Sequence, residues 1–471
     1  MIILQSLLFY LLSLVYLLIP GKTFIEGVVG QPASFLPSRT VTETDKAISR
    51  LLYRGLFKYD NFGTLVPDLA ETWTTSDEGL VYTITIKDNQ LWSDGSRINA
   101  NDLLYTAFKS PNLSGIATDK IDELTVRYQL PNKFSPFLSL MTLGVMKNGS
   151  DDKYKGFYTP SSGPFRVASV KQKGDLIKRV VLINQNSQTI KQMAFRFYPN
   201  TNDVLTAYKL GEIHGFLSPE VLESTKITNA DLYIYPIQSV YYALFFNLRR
   251  EGMQDATLRE SLSKTLDTQK IIRDYGIPVE GPISRSIYTS ELYKTSDYDK
   301  TFVYDMLGKE LTIDAVNTPA LMEIAKEIKN AWEDKTGATV TLNEHNQEEI
   351  RQKVIETRDF DILLYGQEIG RDPDRYVNWH STQANAPGLN LSGFDSVRAD
   401  RALEEGRKAL EQEERQKHYD EFQKILDEQN PAIFLHHPYM NYYVSNKVKG
   451  IGDKYTFTSR DRFLDFSNWT F

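Results

Sequence analysis

Residues 311–366 read LTIDAVNTPALMEIAKEIKNAWEDKTGATVTLNEHNQEEIRQKVIETRDFDILLYG, and this stretch decides the fold class of the chain. It contains three runs with strand character, at 311–316, 338–342 and 360–365. Between the first two runs, apolar residues recur at helical spacing, at Leu321, Ile324, Ala325, Ile328 and Trp332. Gly337 is well placed to end that helix, and a second helix is predicted over 347–357. The order β-α-β-α-β with right-handed crossovers predicts a parallel sheet and an α/β fold.

The loop after the last of these strands is the first candidate for a binding site. Ligands of parallel sheets bind beyond the carboxyl ends of the strands. The loop follows Tyr365 and reads GQEIGRDPD at residues 366–374. Its polar side chains equally suit a solvated turn, so the residues alone leave both interpretations open.

Two further regions extend the α/β pattern, and a third departs from it. A strand at 193–198 is followed by helix-capping residues and a helix over 203–210. YYALFF at 241–246 predicts a buried strand, and a helix is predicted over 258–272. In contrast, VYTITIK at 81–87 alternates as a strand of a hairpin. The chain is therefore predicted to contain two α/β lobes and a β-rich insertion.

The composition excludes several classes of protein. The chain has 54 Lys and Arg against 61 Asp and Glu, and this net charge of −7 argues against a nucleic-acid partner, which requires a basic surface. The absence of cysteine excludes disulfides, thiolate metal sites, cysteine nucleophiles and cysteine-linked lipid anchors. The 27 tyrosines suit a wet ligand cavity, although most aromatic residues are expected to fill the core.

The first residues form an apolar segment. Residues 1–19, MIILQSLLFYLLSLVYLLI, carry no charged side chain and are about long enough to span a bilayer as a helix. A cleaved signal peptide has a basic start and small residues before the cut, and neither is present. An uncleaved membrane anchor is therefore favoured over a removed signal. The missing basic start also fits a true N-terminus upstream of Met1.

The sequence contains no motif that indicates catalysis or a resident metal. Residues 21–23, GKT, lack the glycine of a phosphate-binding loop, because Tyr16 occupies its position. A calcium loop starting at Asp372 has Val377 and Gln383 where glycine and glutamate are required. The six histidines show no HExxH spacing, and no Gly-x-Ser-x-Gly elbow is present. We therefore predict no catalytic residue, no metal ligand and no cofactor.

Several segments resemble one family, the family 5 extracellular solute-binding proteins of peptide and nickel ABC transporters. The most specific segment is LAETW at 69–73, followed by SDEGLVYTITIK at 76–87 and LWSDG at 91–95. Other similar segments follow the family's order along the chain, from about residue 24 to about 450: LYRGLF at 52–57, SGPF at 162–165, LGEI at 210–213, FN at 246–247, LRESL at 258–262, FDI at 360–362, DP at 372–373 and NLSGF at 390–394.

The resemblance implies a type II periplasmic-binding-protein fold, with two α/β lobes, a hinge and an extra β-rich domain. The first lobe comprises residues 22–48, 162–236 and 440–471, and the extra domain comprises 49–161. The second lobe is 237–439, and 1–21 is an anchor or signal segment. The hinges lie near Ser239 and Pro438.

The function implied by the resemblance is the binding of oligopeptides outside the cytoplasm. Lobe closure on the ligand creates the form that the permease of an ABC importer recognises. The resemblance implies a monomer that is not an enzyme. We expect it at the extracytoplasmic face of a bacterial membrane, in the periplasm or at the cell surface, and held there by the apolar N-terminal segment, in contrast to relatives that have a lipidated cysteine or a cleaved signal. A sensory or adhesive surface protein, a nickel-chelate receptor and, third, a hydrolase stay open as alternatives.

The resemblance also points to candidate ligand contacts. Peptide-binding relatives hold the ligand's α-amino group with an aspartate three residues before the Asp-Pro pair. Here that position is Ile369, so amine capture requires that Glu368 substitute for it. The other main candidates in this loop are Tyr365, Gln367 and Arg371. Weaker candidates from the facing lobe lie in residues 31–35 and 241–247, with Phe35, Tyr241 and Asn247 among them; for Asn247, as for Trp73 and Trp92, structural packing is the favoured interpretation.

Overall fold

The computed structural model describes residues 23–150, 157–185, 189–223, 227–284 and 298–471. The predicted anchor at 1–19 lies outside these described residues. Within them, each helix is too short or too polar to cross a bilayer.

Twelve of the described strands form one large sheet, and six belong to two small antiparallel sheets. In chain order the strands are β1 Thr23–Val29, β2 Phe57–Tyr59, β3 Leu65–Pro67, β4 Ala70–Ser76, β5 Val81–Ile86, β6 Ala117–Lys120, β7 Thr125–Gln129, β8 Phe165–Lys173, β9 Leu176–Asn184, β10 Gln192–Tyr198, β11 Gly215–Ser218, β12 Ala230–Pro236, β13 Val240–Phe246, β14 Gly276–Pro278, β15 Glu310–Val316, β16 Thr339–His345, β17 Ile362–Glu368 and β18 Ala432–Ser445.

The helices flank these sheets. In chain order the α-helices are α1 Glu43–Leu52, α2 Ala100–Lys109, α3 Phe137–Leu140, α4 Thr201–Lys209, α5 Ala256–Lys264, α6 Thr268–Ile272, α7 Pro319–Thr336, α8 Gln347–Glu349, α9 Tyr376–Trp379, α10 Val397–Lys408 and α11 Gln412–Gln429. A short 3-10 helix at Ser459–Phe463 packs against α1.

The stretch 311–366 folds as its pattern predicts. β15 pairs in parallel with β16 and with β17. Helix α7 begins after Thr318, whose side chain accepts a hydrogen bond from the Leu321 amide, and it ends at Gly337 with a φ of 71°. The second predicted helix differs from a regular α-helix, since α8 continues as a π-helical segment over Ile350–Ile355.

The long strand β18 is shared by two halves of the large sheet. Its first half pairs with β13 and β14, and its second half pairs with β11 and β12. We call the part containing β1 and β8 to β12 the first lobe, and the part containing β13 to β17 the second lobe. Each has its own hydrophobic core, with Phe195 buried in the first and Trp332 in the second.

The β-rich insertion comprises β2 to β7, and we call it the extra domain. Strands β4 and β5 form the predicted hairpin and continue into the sheet order β4-β5-β7-β6. Its buried residues belong to the same hydrophobic cluster as those of the first lobe, as Tyr82 and Phe195 illustrate. The predicted domain boundaries stay a prediction, but this shared core attaches the extra domain to the first lobe.

Candidate functional site

One buried carboxylate joins side chains from distant parts of the chain. The loop after β1 leads into α1, which carries Arg50, and the loop after β17 carries Arg371. Both arginines bond to Asp461, through Oδ1 for Arg50 and through Oδ2 for Arg371 at 2.6 Å. Ligands of parallel sheets bind beyond the carboxyl ends of the strands, and Arg371 follows the carboxyl end of β17, so we place the candidate site beside this carboxylate.

Asp461 is fully buried and accepts an unusually dense set of hydrogen bonds. Besides the arginines, the backbone amides of Phe457 and Thr458 donate to its Oδ2 at 2.9 and 2.7 Å. Burial alone raises the pKa of the Asp461 carboxyl, but the charges of Arg50 and Arg371 outweigh this effect and hold the pKa below its usual value. The carboxylate is therefore ionised and joins Arg50 of α1 to Arg371 of the second lobe.

Aromatic rings enclose the guanidinium of Arg371. It lies 4.5 Å from the ring centre of Tyr59, 5.0 Å from that of Phe457 and 5.3 Å from that of Tyr455. Tyr59 belongs to the extra domain, whereas Tyr455 and Phe457 belong to the C-terminal segment, so two distant parts of the chain contact this second-lobe side chain. Burial lowers the pKa of Arg371 despite the neighbouring Asp461 carboxylate. These contacts make Arg371 a bridging residue in this structure, and its predicted contact with a ligand stays a prediction.

Two predicted site residues, Tyr241 and Gln367, are buried partners of each other. The Tyr241 hydroxyl donates to Gln367 Oε1 and accepts a hydrogen bond from Trp379 Nε1 at 3.1 Å. Gln367 Nε2 donates to the Leu389 carbonyl at 2.7 Å. Burial raises the pKa of the Tyr241 phenol well above its usual value. The four groups form a continuous hydrogen-bond chain within the second lobe.

The structure corrects the expectation that 241–247 lies on the facing lobe. β13 pairs directly with β17, with Tyr241 opposite Gln367, so both belong to the second lobe. It also shortens the predicted loop, because β17 continues to Glu368. The sequence pattern predicted a strand end at Tyr365 because Gly366 and the polar Gln367 interrupt the apolar run. The pairing with β13 extends the strand to Glu368.

Asn247 and Phe35 are core residues in this structure. Asn247 is 1% exposed, and its Nδ2 donates to the carbonyls of Arg358 and Phe360 at 2.9 and 2.8 Å. Phe35 is fully buried, with its ring 4.7 Å from that of Phe157. These contacts agree with the packing interpretation favoured for Asn247, and ligand contact by either residue stays a prediction.

Tyr365 and Glu368 are the predicted residues that stay accessible. Tyr365 is half-buried, and Glu368 is exposed at the end of β17. Burial, and to a smaller extent the charge of Glu368, raise the pKa of the Tyr365 phenol. A carboxylate and a phenol are therefore available on the second lobe to hold a polar ligand.

Sequence reasoning missed Asp461 and Arg50. The only local signal is the spacing of Thr458 and Asp461, which is typical of a capping box and is observed as one. The described residues contain no group of three or more acidic or histidine side chains placed to hold a metal ion.

Comparison with known sequences decides the family. The pattern of the bacterial extracellular solute-binding proteins, family 5 Middle, matches residues 64–388. The chain belongs to this family. Its members are solute-binding proteins, in agreement with the resemblance carried by residues 69–95.

Relatives of the family align with nearly the whole chain. The probable D,D-dipeptide-binding periplasmic protein DdpA of Escherichia coli (strain K12) is 24% identical over 481 residues, covering 92% of each chain. The oligopeptide-binding protein AppA of Bacillus subtilis (strain 168) is 20% identical over 472 residues, covering 89% of this chain and 86% of the relative.

A solved structure shows the same fold. NikZ from Campylobacter jejuni, in complex with Ni(L-His), superposes with a TM-score of 0.76 and 23% identity, covering 96% of this chain and 100% of NikZ. The type II periplasmic-binding-protein fold predicted from the sequence is thereby confirmed.

Two tyrosine variants, one in β13 and one in β17, test whether Tyr241 has a packing role in the second lobe. Tyr241→Phe leaves Gln367 Oε1 and Trp379 Nε1 without their buried partner, and we expect the free energy of unfolding to fall by about 1–3 kcal/mol. Tyr365→Phe removes a half-buried hydroxyl and is expected to change it by less than about 0.5 kcal/mol. Urea unfolding followed by fluorescence measures both variants. Equal losses of stability would contradict the packing role of Tyr241.

Proposed function

We propose that this protein binds peptides outside the cytoplasm and delivers them to an ABC importer. The observation that carries the proposal is the alignment of 92% and 89% of the chain with DdpA and AppA, named as dipeptide-binding and oligopeptide-binding proteins. The exposed Glu368 at the carboxyl end of β17 and the half-buried Tyr365 in the middle of the strand support it, because they offer a charged and a polar contact to a peptide.

The proposed mechanism is closure of the lobes about two connections. One is the link between β12 and β13, near Ser239, and the other is β18 near Pro438. The Ile237 amide donates to the Pro438 carbonyl at 2.8 Å, so the two connections are bonded to each other. A ligand that contacts both lobes binds the closed form better than the open form, and binding therefore shifts the population toward closure.

Glu368 is the proposed contact for the peptide's α-amino group. Glu368 directly precedes Ile369, whose side chain is uncharged. An exposed carboxylate at the end of the strand can accept hydrogen bonds from an ammonium group. No reacting group is required by this mechanism, so we propose a monomeric receptor rather than an enzyme. It acts at the extracytoplasmic membrane face, with residues 1–21 as its tether.

Peptide binding is tested with the purified full-length protein in detergent. Native mass spectrometry followed by denaturing release should recover peptides that co-purify with it. A protein that stays empty and binds no member of a peptide library would contradict the proposal. Binding of a nickel–histidine chelate, the ligand in the NikZ structure, without any peptide binding would favour the metal-chelate alternative.

The role of Glu368 is tested by removing its charge. We expect Glu368→Gln to weaken binding of a peptide with a free α-amino group by about tenfold, because a charge-assisted hydrogen bond is lost. Binding of the same peptide after N-acetylation should not change. Glu344→Gln, at an exposed position of β16, is the matched control. Titration calorimetry measures both peptides on the unaltered protein and on the two variants, and equal weakening for both peptides in Glu368→Gln would contradict amine capture by Glu368.

A further inference from the structure

The extra domain touches the second lobe directly, at a place distant in sequence from both hinges. The Ser135 amide of the extra domain donates to the carbonyl of Arg407 at the end of α10, at 2.8 Å. The Arg407 guanidinium also lies 5.1 Å from the ring centre of Phe134. Adjacent residues of the extra domain thus contact the backbone and the side chain of one arginine.

The Arg407 side chain is held in place by its own lobe. Its Nη2 donates to Asp374 Oδ2 at 2.6 Å, and its guanidinium lies 4.2 Å from the ring centre of Tyr376. Because these contacts come from the second lobe alone, they orient the guanidinium before the extra domain arrives. A fixed cation facing Phe134 loses little conformational freedom when the contact forms.

Two more contacts flank this one. Leu410, just after α10, packs so closely on Gly79 that a Cβ at that position would lie 3.0 Å from Leu410 Cδ2. Tyr59 of the extra domain covers the guanidinium of Arg371. The extra domain and the second lobe are therefore joined by an apolar contact, by arginine–ring contacts and by a backbone hydrogen bond. None of these contacts requires a ligand.

We propose that the extra domain is a clamp that favours the closed form before any ligand is bound, with Phe134 and Arg407 as its principal contact. This inference rests on the lobe closure of the proposed function. The extra domain shares its core with the first lobe, so in the proposed motion it moves with that lobe, and opening would separate Phe134 from Arg407. The clamp thus contributes to the affinity for any ligand without touching it.

The clamp is tested on the ligand-free full-length chain. Because the protein has no cysteine, exposed positions Asn132 and Arg401 accept spin labels through Asn132→Cys and Arg401→Cys without further changes. Double electron–electron resonance between the two labels then measures the distance from the extra domain to α10. We expect Phe134→Ala and Arg407→Ala each to lower the ratio of closed to open molecules by about two- to thirtyfold, and the double variant to lower it no further.

Control variants separate the clamp from general damage. Phe108→Ala removes the same side chain from an exposed position of the extra domain and should leave the distances unchanged. Phe134→Ala is decisive because it leaves the second lobe intact. Unchanged distances in Phe134→Ala, or an equal shift in Phe108→Ala, would overturn the clamp. If the protein binds peptides but neither clamp variant changes the distances, the clamp is contradicted and the proposed function is not. If the clamp variants shift the distances but no peptide binds, only the proposed function is contradicted.

Discussion

Replacing Asp461 by alanine is expected to lower the free energy of unfolding by about 3–5 kcal/mol. The substitution leaves Arg50 and Arg371 next to each other without their shared counter-ion, and it removes the acceptor of the Phe457 and Thr458 amides. Urea unfolding of the full-length protein measures the loss. Asp395→Ala, at an exposed position, should change stability by less than about 0.5 kcal/mol.

The pH dependence of stability gives an independent check on Asp461. Its pKa is lowered in the folded protein, so its contribution is complete above the unfolded carboxyl pKa of about 4 and is lost as the pH falls through the folded value. Asp461→Ala should therefore flatten the acid side of the stability curve. A loss below about 1 kcal/mol at neutral pH, or an unchanged acid side, would contradict the bridging role of this carboxylate.

The second large effect is a loss of stability in mild acid, caused by His436 and His437. Burial, together with the charge of His437, lowers the pKa of His436 to about 3, and burial together with Arg375 lowers the pKa of His437 to about 4. Below the ordinary histidine pKa of about 6.5, these two histidines are protonated in the unfolded chain but stay neutral in the folded protein, so the free energy of unfolding falls as the pH falls. Between pH 7 and pH 4.5 we expect each histidine to cost about 2–3 kcal/mol.

A substitution separates this effect from other acid-sensitive groups. His436 stacks on Tyr242, with ring centres 5.1 Å apart, so a phenyl ring can replace it. We expect His436→Phe to remove about half of the loss between pH 7 and pH 4.5. His418→Phe, on α11, is the matched control and should leave the pH dependence unchanged. An unfolding free energy that is flat over this range in the unaltered protein would contradict both histidine assignments.

Local patterns were sufficient for much of the fold. The apolar stripe ending at Trp332, the stop at Gly337 and the alternation at 81–87 each depend on neighbours within one element, and all three were predicted correctly. Helix α4 likewise begins after Asn200, whose side chain caps it. Such features are decided by periodicity and capping, which a single sequence displays.

The candidate site was harder to predict because its contacts join distant parts of the chain. Arg50 and Asp461 are 411 residues apart, and no local pattern pairs them. Tyr241 lies within the predicted bounds of the second lobe, but it was expected to face the loop after β17 from across the cleft, because the order of strands, here β17 beside β13, depends on tertiary packing. Gln367 is polar in sequence but satisfied inside the core, since Tyr241 and Leu389 supply its partners.

The shared strand β18 has a consequence for how the chain acquires its structure. It follows every other described strand in sequence, yet it lies in the interior of both halves of the large sheet. During synthesis neither half can be completed until residues 432–445 have emerged, although more than 400 residues already precede them. The large sheet therefore closes late: its two halves become joined through β18 only when nearly the whole chain is available for pairing.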